Sequence, residues 1–238
     1  MLTTRPARAA TWPTVGGMAD TRAHIVDPDV AAYVAAHSSP PDDVQRRLME
    51  VTVARTGRAA GMQIGNDQGT FLEVLARASG ARLAVEIGTF TGFSALSIAR
   101  GLGPAGRLIC CDVSEEWTAI GREHWEQAGV ADRIDLRIGP AVDTLAALPD
   151  DLTVDLAFID ADKVSYLTYY EALLPRMAPD GVILVDNTLW SRRVLDPAVD
   201  DADTVALRAF NDAVAADTRV RVVLVPMGDG VTLIQPAR

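Results

Sequence analysis

Cysteine is nearly absent from this 238-residue chain, and the two it has, Cys110 and Cys111, are neighbours. Adjacent cysteines are poorly placed to bridge one another, so they read as reduced residues of an apolar strand. Long apolar runs are missing as well. Charge or glycine breaks each run within about eight residues, short of the roughly eighteen that a membrane span needs. Positive charge is the minority sign: 22 Lys and Arg stand against 32 Asp and Glu, a net charge of −10. That balance disfavours nucleic acid or an anionic membrane surface as partner and favours a small molecule. Behind Arg5 and Arg8 no continuous apolar stretch follows, so no secretory signal is read and a soluble, cytoplasmic protein is expected. The three histidines, His24, His37 and His124, lie away from any glycine turn and read as surface or packing residues.

What is present suits one large domain, since 49% of the residues are apolar and a sizeable core can be buried. Residues 1–24, with Pro6, Pro13, Gly16 and Gly17, show no period and are expected to form a flexible tail; 25–238 should be a single domain. Asp27-Pro28 predicts the start of a helix on which Val30, Tyr33 and Val34 share a face. A second helix should follow Pro40-Pro41, with Asp42 and Asp43 in its first turn, and a third should run from about Asp67 to Ala78.

After Gly80 the pattern changes to short β-rich runs alternating with helical ones, which predicts a parallel sheet. Strands are expected at 83–88, 107–112, 134–138, 155–160 and 181–186. Two more, 220–225 and 231–234, are joined by Pro226-Met-Gly-Asp-Gly230, whose glycines suit an antiparallel hairpin. The expected class is α/β: seven strands, mostly parallel, with helices on both faces, a C-terminal hairpin and extra N-terminal helices. Leu189 to Asp203 is neither strand nor strongly periodic, and reads as a lid, a contact surface or a plain connector.

Two of the expected strands end in acid. Asp160 closes one, and Asp186 followed by Asn187 closes another, so parallel pairing would bring hard oxygen ligands to one sheet edge, as a divalent cation beside a small molecule requires. Each acid alone could instead cap the next helix. No Cys or His joins them, which argues against structural zinc. The strand Leu83 to Ile87 runs into Gly88-Thr-Phe-Thr-Gly92 and then a helix, so backbone can approach a ligand at free N–H groups. Its spacing lacks the third glycine of the dinucleotide fingerprint. Asp112, about twenty residues on, could accept from ribose hydroxyls or cap the helix that begins near Ser114.

Taken together, Glu86-Ile-Gly-Thr-Phe-Thr-Gly92, Asp112-Val-Ser-Glu-Glu-Trp117, Phe158-Ile-Asp-Ala-Asp-Lys163 and Val185-Asp-Asn187 resemble the cation-dependent O-methyltransferases of the caffeoyl-CoA and catechol type. The likeness covers roughly residues 25–236 and implies a Rossmann-like methyltransferase domain. By resemblance, Glu86, Gly88, Thr89 and Ser94 bind S-adenosylmethionine, Asp112 its ribose and adenine end, Ala141 its adenine, and Ile64 covers its methionine part. Asp160, Asp186 and Asn187 match the metal ligands, with Mg2+ the expected ion, and Asp160 also lies close to the cofactor. Lys163 matches the catalytic lysine, which would take a proton from the acceptor hydroxyl. Trp117 could lie near the adenine, and Trp190, just past the ligand pair, could wall the acceptor pocket; plain packing is the more ordinary reading of both.

The reaction so implied is in-line methyl transfer to one hydroxyl of a vicinal, catechol-like pair, with the cation favouring the ionised hydroxyl. Two rivals stand beside it: a nicotinamide-dependent oxidoreductase, which leaves Asp186-Asn187 without a role, and a non-catalytic cofactor-binding protein. A phenolic small-molecule acceptor and a homodimer are expected from the resemblance. Arg22 or Arg46 could meet a CoA phosphate, and a smaller phenol fits equally well.

Overall fold

The computed structural model describes residues 25–237; the expected tail, His24 and Arg22 lie outside the described residues. Three helices, α1 (Pro28–Ala36), α2 (Asp43–Thr56) and α3 (Asn66–Ala78), precede the sheet. Local chemistry sets their starts. The Asp27 carboxylate accepts from the Asp29 N–H (2.9 Å), and Asp42 and Gln45 cap each other's backbone N–H groups at the start of α2, satisfying donors that a helix end leaves open. The face shared by Val30, Tyr33 and Val34 exists, but it is exposed and α1 buries no side chain.

The strands are β1 (Leu83–Ile87), β2 (Arg107–Asp112), β3 (Ile134–Ile138), β4 (Val154–Ile159), β5 (Met177–Val185), β6 (Val220–Val225) and β7 (Val231–Pro236). They form one sheet in the order β3-β2-β1-β4-β5-β7-β6. β1 to β5 pair in parallel, and β7 lies antiparallel between β5 and β6. Between them come α4 (Phe93–Gly101), α5 (Glu115–Gln127), α6 (Ala141–Ala146), α7 (Tyr166–Leu173) and α8 (Ala202–Ala216). One boundary differs from expectation: β5 begins at Met177, not 181, because Val154 pairs with Met177 and an irregularity then shifts the register before Leu156 meets Val182. Pro179-Asp180-Gly181 thus lies within a strand, at the kind of irregularity where proline is tolerated.

Alternation along the strands builds two cores, one on each face of the sheet. Val85, Ile87, Ile109, Cys111, Ala157 and Ile159 pack with α6, α7 and α8, whereas Ala84, Leu108, Cys110, Leu156 and Phe158 pack with α2, α3, α4 and α5. The order of strands reverses at β1 and β4. After β1 the chain steps outward to β2 and β3, then returns to place β4 on the other side of β1, so loops diverge there and leave a crevice at the strand ends.

Candidate active site

That crevice is a cleft of about 870 Å³. Its walls include Ile64, Gly88, Thr89, Ser94, Asp112, Trp117, Ala141, Asp160, Lys163, Asp186, Asn187 and Trp190. Every site residue expected from the sequence is therefore on one cavity except Glu86, which lies behind it, fully buried.

The glycine turn is fixed by its neighbours on both sides. Gly88 N–H donates to Cys111 O (2.9 Å) and Asp160 N–H to Ile87 O (2.8 Å), so the ends of β1, β2 and β4 are in register. Gly88 has φ +89°, and a Cβ there would stand 2.6 Å from the Asp160 carbonyl carbon and closer still to its oxygen. Glycine is required because backbone, not ligand, occupies that space. Gly92 (φ +80°) answers to another neighbour: a Cβ would meet the Trp125 ring, whose Nε1 donates to Gly92 O (3.0 Å).

Asp112 is neither purely ligand acceptor nor helix cap. One carboxylate oxygen accepts from the N–H groups of Thr89 (2.9 Å) and Phe90 (2.7 Å), and the other from Ser114 N–H (2.8 Å). Ser114 itself caps α5. The acid thus ties the glycine turn to β2 while facing the cleft. Phe90 and Trp117 stand edge to face, 5.0 Å between ring centres, and make an aromatic wall at this end.

Behind the turn, burial pushes the Glu86 carboxyl up to about 7, against the opposing pull of the Ser94 and Thr89 hydroxyls and the Cys110 thiol. Cys110 Sγ lies 3.4 Å from Glu86 Oε2, while Oε1 and the Thr89 hydroxyl oxygen lack a partner in bonding geometry. Buried polar atoms left open are costly.

Across the cleft, Asp160 and Asp186 are the first residues past β4 and β5. Asp186 is 2% exposed, and burial followed by the charge of Asp160 pushes its carboxyl above the usual carboxylate range. Its Oδ1 accepts from Asn187 N–H (2.7 Å), and Asn187 takes a left-handed φ of 59°, a conformation asparagine tolerates better than most residues. Among the described residues no group of three His, Cys, Asp or Glu is poised to hold a metal. Asp160, Asp186 and Asn187 bring two carboxylates and an amide to one cleft, hard oxygen donors of the kind a divalent cation takes.

The loop beyond Asn187 is held by the β6–β7 turn. Thr188 N–H and Oγ1 both donate to Gly230 O (3.0 Å each), Leu189 N–H to Asp229 O (2.9 Å), and Ser191 N–H to Asp229 Oδ1 (2.5 Å). Trp190, Ser191 and Arg192 all have positive φ. The start of the segment read as a lid, a contact surface or a connector is thus pinned to that turn, and it presents Trp190 to the cleft.

Lys163 is the only lysine in the chain and is 8% exposed. Its ammonium donates to Tyr166 OH (2.7 Å), Ala161 O (2.9 Å) and Asp160 Oδ1 (3.1 Å), and lies 5.5 Å from the centre of the Trp190 ring. Sequence reasoning missed Tyr166, Asp162, Asp203 and Asp229. Tyr166 follows Lys163 by one turn, a spacing that could have revealed it; Asp203 and Asp229 arrive from distant elements and carry no local signal.

Residues 35–237 match the model of a family described as O-methyltransferase. The probable caffeoyl-CoA O-methyltransferase 2 of Dictyostelium discoideum is 40% identical over 206 residues, covering 85% of this chain and 89% of that protein. Caffeoyl-CoA O-methyltransferase 2 of Zea mays is 37% identical over 219 residues, covering 86% and 81%. Among solved structures, the O-methyltransferase from Bacillus cereus in complex with SAH superposes with a TM-score of 0.80 at 31% identity, over 88% of this chain and 97% of that one. With the cleft placed at the switch point of the same fold, the chain belongs to the O-methyltransferase family.

Proposed function

We propose that this O-methyltransferase takes its methyl group from S-adenosylmethionine and delivers it, with the help of a divalent cation, to one hydroxyl of a vicinal pair on a small phenol. The observation that carries the reading is the joining of two half-sites in one cleft. The Gly88 turn with Asp112, Ser94 and Ala141 faces the acids Asp160 and Asp186 with Asn187 and Lys163. On the donor side, Asp112 is fixed beside the cleft, where ribose hydroxyls would donate to it, and Phe90 and Trp117 offer an aromatic wall. On the acceptor side, Asp160, Asp186 and Asn187 would hold the cation, which when bound supplies Lewis-acid stabilisation of an ionised hydroxyl. Lys163 is held within the same wall, where its neutral amine form would take the proton of the acceptor hydroxyl and become the ammonium, and its buried surroundings limit water.

The acceptor's charge is argued from the walls. Among the described lining residues Lys163 is the sole basic side chain, and beyond the two acids assigned to the cation, Asp162, Asp203 and Asp229 line the same cleft. That field favours an uncharged or amine-bearing phenol over a CoA thioester. A homodimer is our proposal for the assembly.

The test is formation of S-adenosylhomocysteine with catechols, caffeoyl esters and non-vicinal phenols, with and without chelator. Turnover should require vicinal hydroxyls and a divalent ion, and Asp160→Ala should lower it about 100-fold. Activity that survives thorough chelation, or an Asp160→Ala variant as fast as the parent, would remove the cation from the mechanism.

A further inference from the structure

We propose that Tyr166 is a positioning residue for Lys163, one whose hydroxyl sets where the ammonium sits in the cleft and thereby sets turnover. The inference rests on the reading of Lys163 given above. A tetrahedral ammonium has three N–H groups, and here each has one acceptor: Tyr166 OH at 2.7 Å, Ala161 O at 2.9 Å and Asp160 Oδ1 at 3.1 Å. Asp160 is shared with the expected cation. Tyr166 and the Ala161 carbonyl are the partners outside the expected cation shell, and Tyr166 is the nearer.

The hydroxyl can serve as acceptor because its own proton is committed elsewhere. It donates to the main-chain oxygen of Asp186 at 3.1 Å, so a lone pair faces Lys163. Lys163, at the end of β4, is in this way fastened to the end of β5 through a side chain on α7. The ring is anchored independently. Tyr166 is 0% exposed, stands edge to face with Phe210 of α8 at 5.8 Å between ring centres, and sits three residues after Lys163, one tight turn away. Packing alone would be met by phenylalanine. The hydroxyl, buried with two hydrogen bonds, is the feature that packing leaves unexplained. A flexible four-carbon amine otherwise samples many rotamers, and small misplacements of reacting groups have large effects on rate.

The test compares Tyr166→Phe, Lys163→Ala and the double variant in the full chain. Tyr166→Phe should lower kcat with a vicinal phenol about 10- to 100-fold, leaving KM for the phenol and the Kd of S-adenosylhomocysteine within about twofold. In the Lys163→Ala background the same change should have no further effect, because the residue it acts through is gone. A second readout needs no activity. Isotopically labelled lysine gives a single side-chain ammonium signal, Lys163 being the only lysine, and Tyr166→Phe should displace that signal and speed its exchange with water. An unmoved signal, an unchanged kcat, a further loss in the Lys163→Ala background, or loss of S-adenosylhomocysteine binding would each overturn the proposal. Should the parent enzyme methylate no phenol while the signal still moves, the acceptor reading fails and the hold on Lys163 stands.

Discussion

Gly88→Ala tests the claim that the two half-sites share one backbone contact. The residue has φ +89°, and its missing Cβ would fall 2.6 Å from the Asp160 carbonyl carbon and 2.9 Å from Ala161 N. These are main-chain atoms at the end of β4, and the turn cannot retreat because Gly88 N–H and Asp160 N–H are both bonded across the sheet. Left-handed backbone costs an alanine about 1–2 kcal/mol, and overpacking a filled site adds about 1–3 kcal/mol. At roughly 2–4 °C per kcal/mol for a domain of this size, the midpoint of thermal unfolding should fall by about 10 °C. Gly129→Ala is the control: its φ is +67°, it closes α5 in the left-handed conformation, and nothing lies within 4 Å of a Cβ there. That variant should show the strain alone, a fall of about 4 °C. Methyl transfer should separate the two further, since displacing Asp160 disturbs the proposed cofactor and cation sites together, whereas Gly129 lines neither. Differential scanning fluorimetry with and without S-adenosylhomocysteine, followed by initial rates, reads both effects. If Gly88→Ala melts within 2 °C of Gly129→Ala and retains parental turnover, the contact does not join the half-sites.

Two further outcomes follow from the charges. The Glu86 carboxyl is raised from 4.5 to about 7 in the folded chain, so between those values the folded state keeps a proton that the unfolded state releases. Its contribution to stability is fully present below pH 4.5 and is lost as pH rises to about 7, a change of about 3 kcal/mol. Glu86→Gln should therefore gain on the parent between pH 5 and 7.5 when unfolding midpoints are compared; parallel profiles would show that Glu86 does not titrate there. For the acceptor, kcat/KM should be at least about tenfold higher for a neutral or amine-bearing catechol than for a CoA thioester, and Asp203→Asn with Asp229→Asn should narrow the gap. A CoA thioester that is preferred outright contradicts the acidic-wall argument.

The sheet was legible because parallel strands buried on both faces appear as short apolar runs, and six of seven lie within two residues of their expected starts and ends. β5 was not, since Pro179-Asp180-Gly181 carries turn chemistry that strand pairing overrides at the irregularity opposite Val154 and Leu156. The residues that gather on the cleft were legible where order along the chain is preserved, from Gly88 through Trp190. What the sequence could not convey is partnership over distance. Asp112 was read as ribose acceptor or cap, and it is bonded to backbone more than twenty residues away. Gly92 was read as making room for a ligand, and it makes room for Trp125. The α1 face was visible as a pattern, but amphipathic spacing does not reveal whether anything covers it.

The solitary lysine has a consequence for measuring this protein's opening motions. A lysine-specific protease has one place to cut, after Lys163, dividing the chain into residues 1–163 and 164–238. The peptide bond there follows a buried side chain on the tight turn between β4 and α7, and a protease must draw several extended residues into its own cleft to cut. Cleavage therefore reports how often the turn that carries Lys163 opens, free of the surface nicking that obscures such measurements in lysine-rich chains. A ligand that closes the cleft should slow that single cut in proportion to its binding, so one band on a gel becomes a gauge of occupancy.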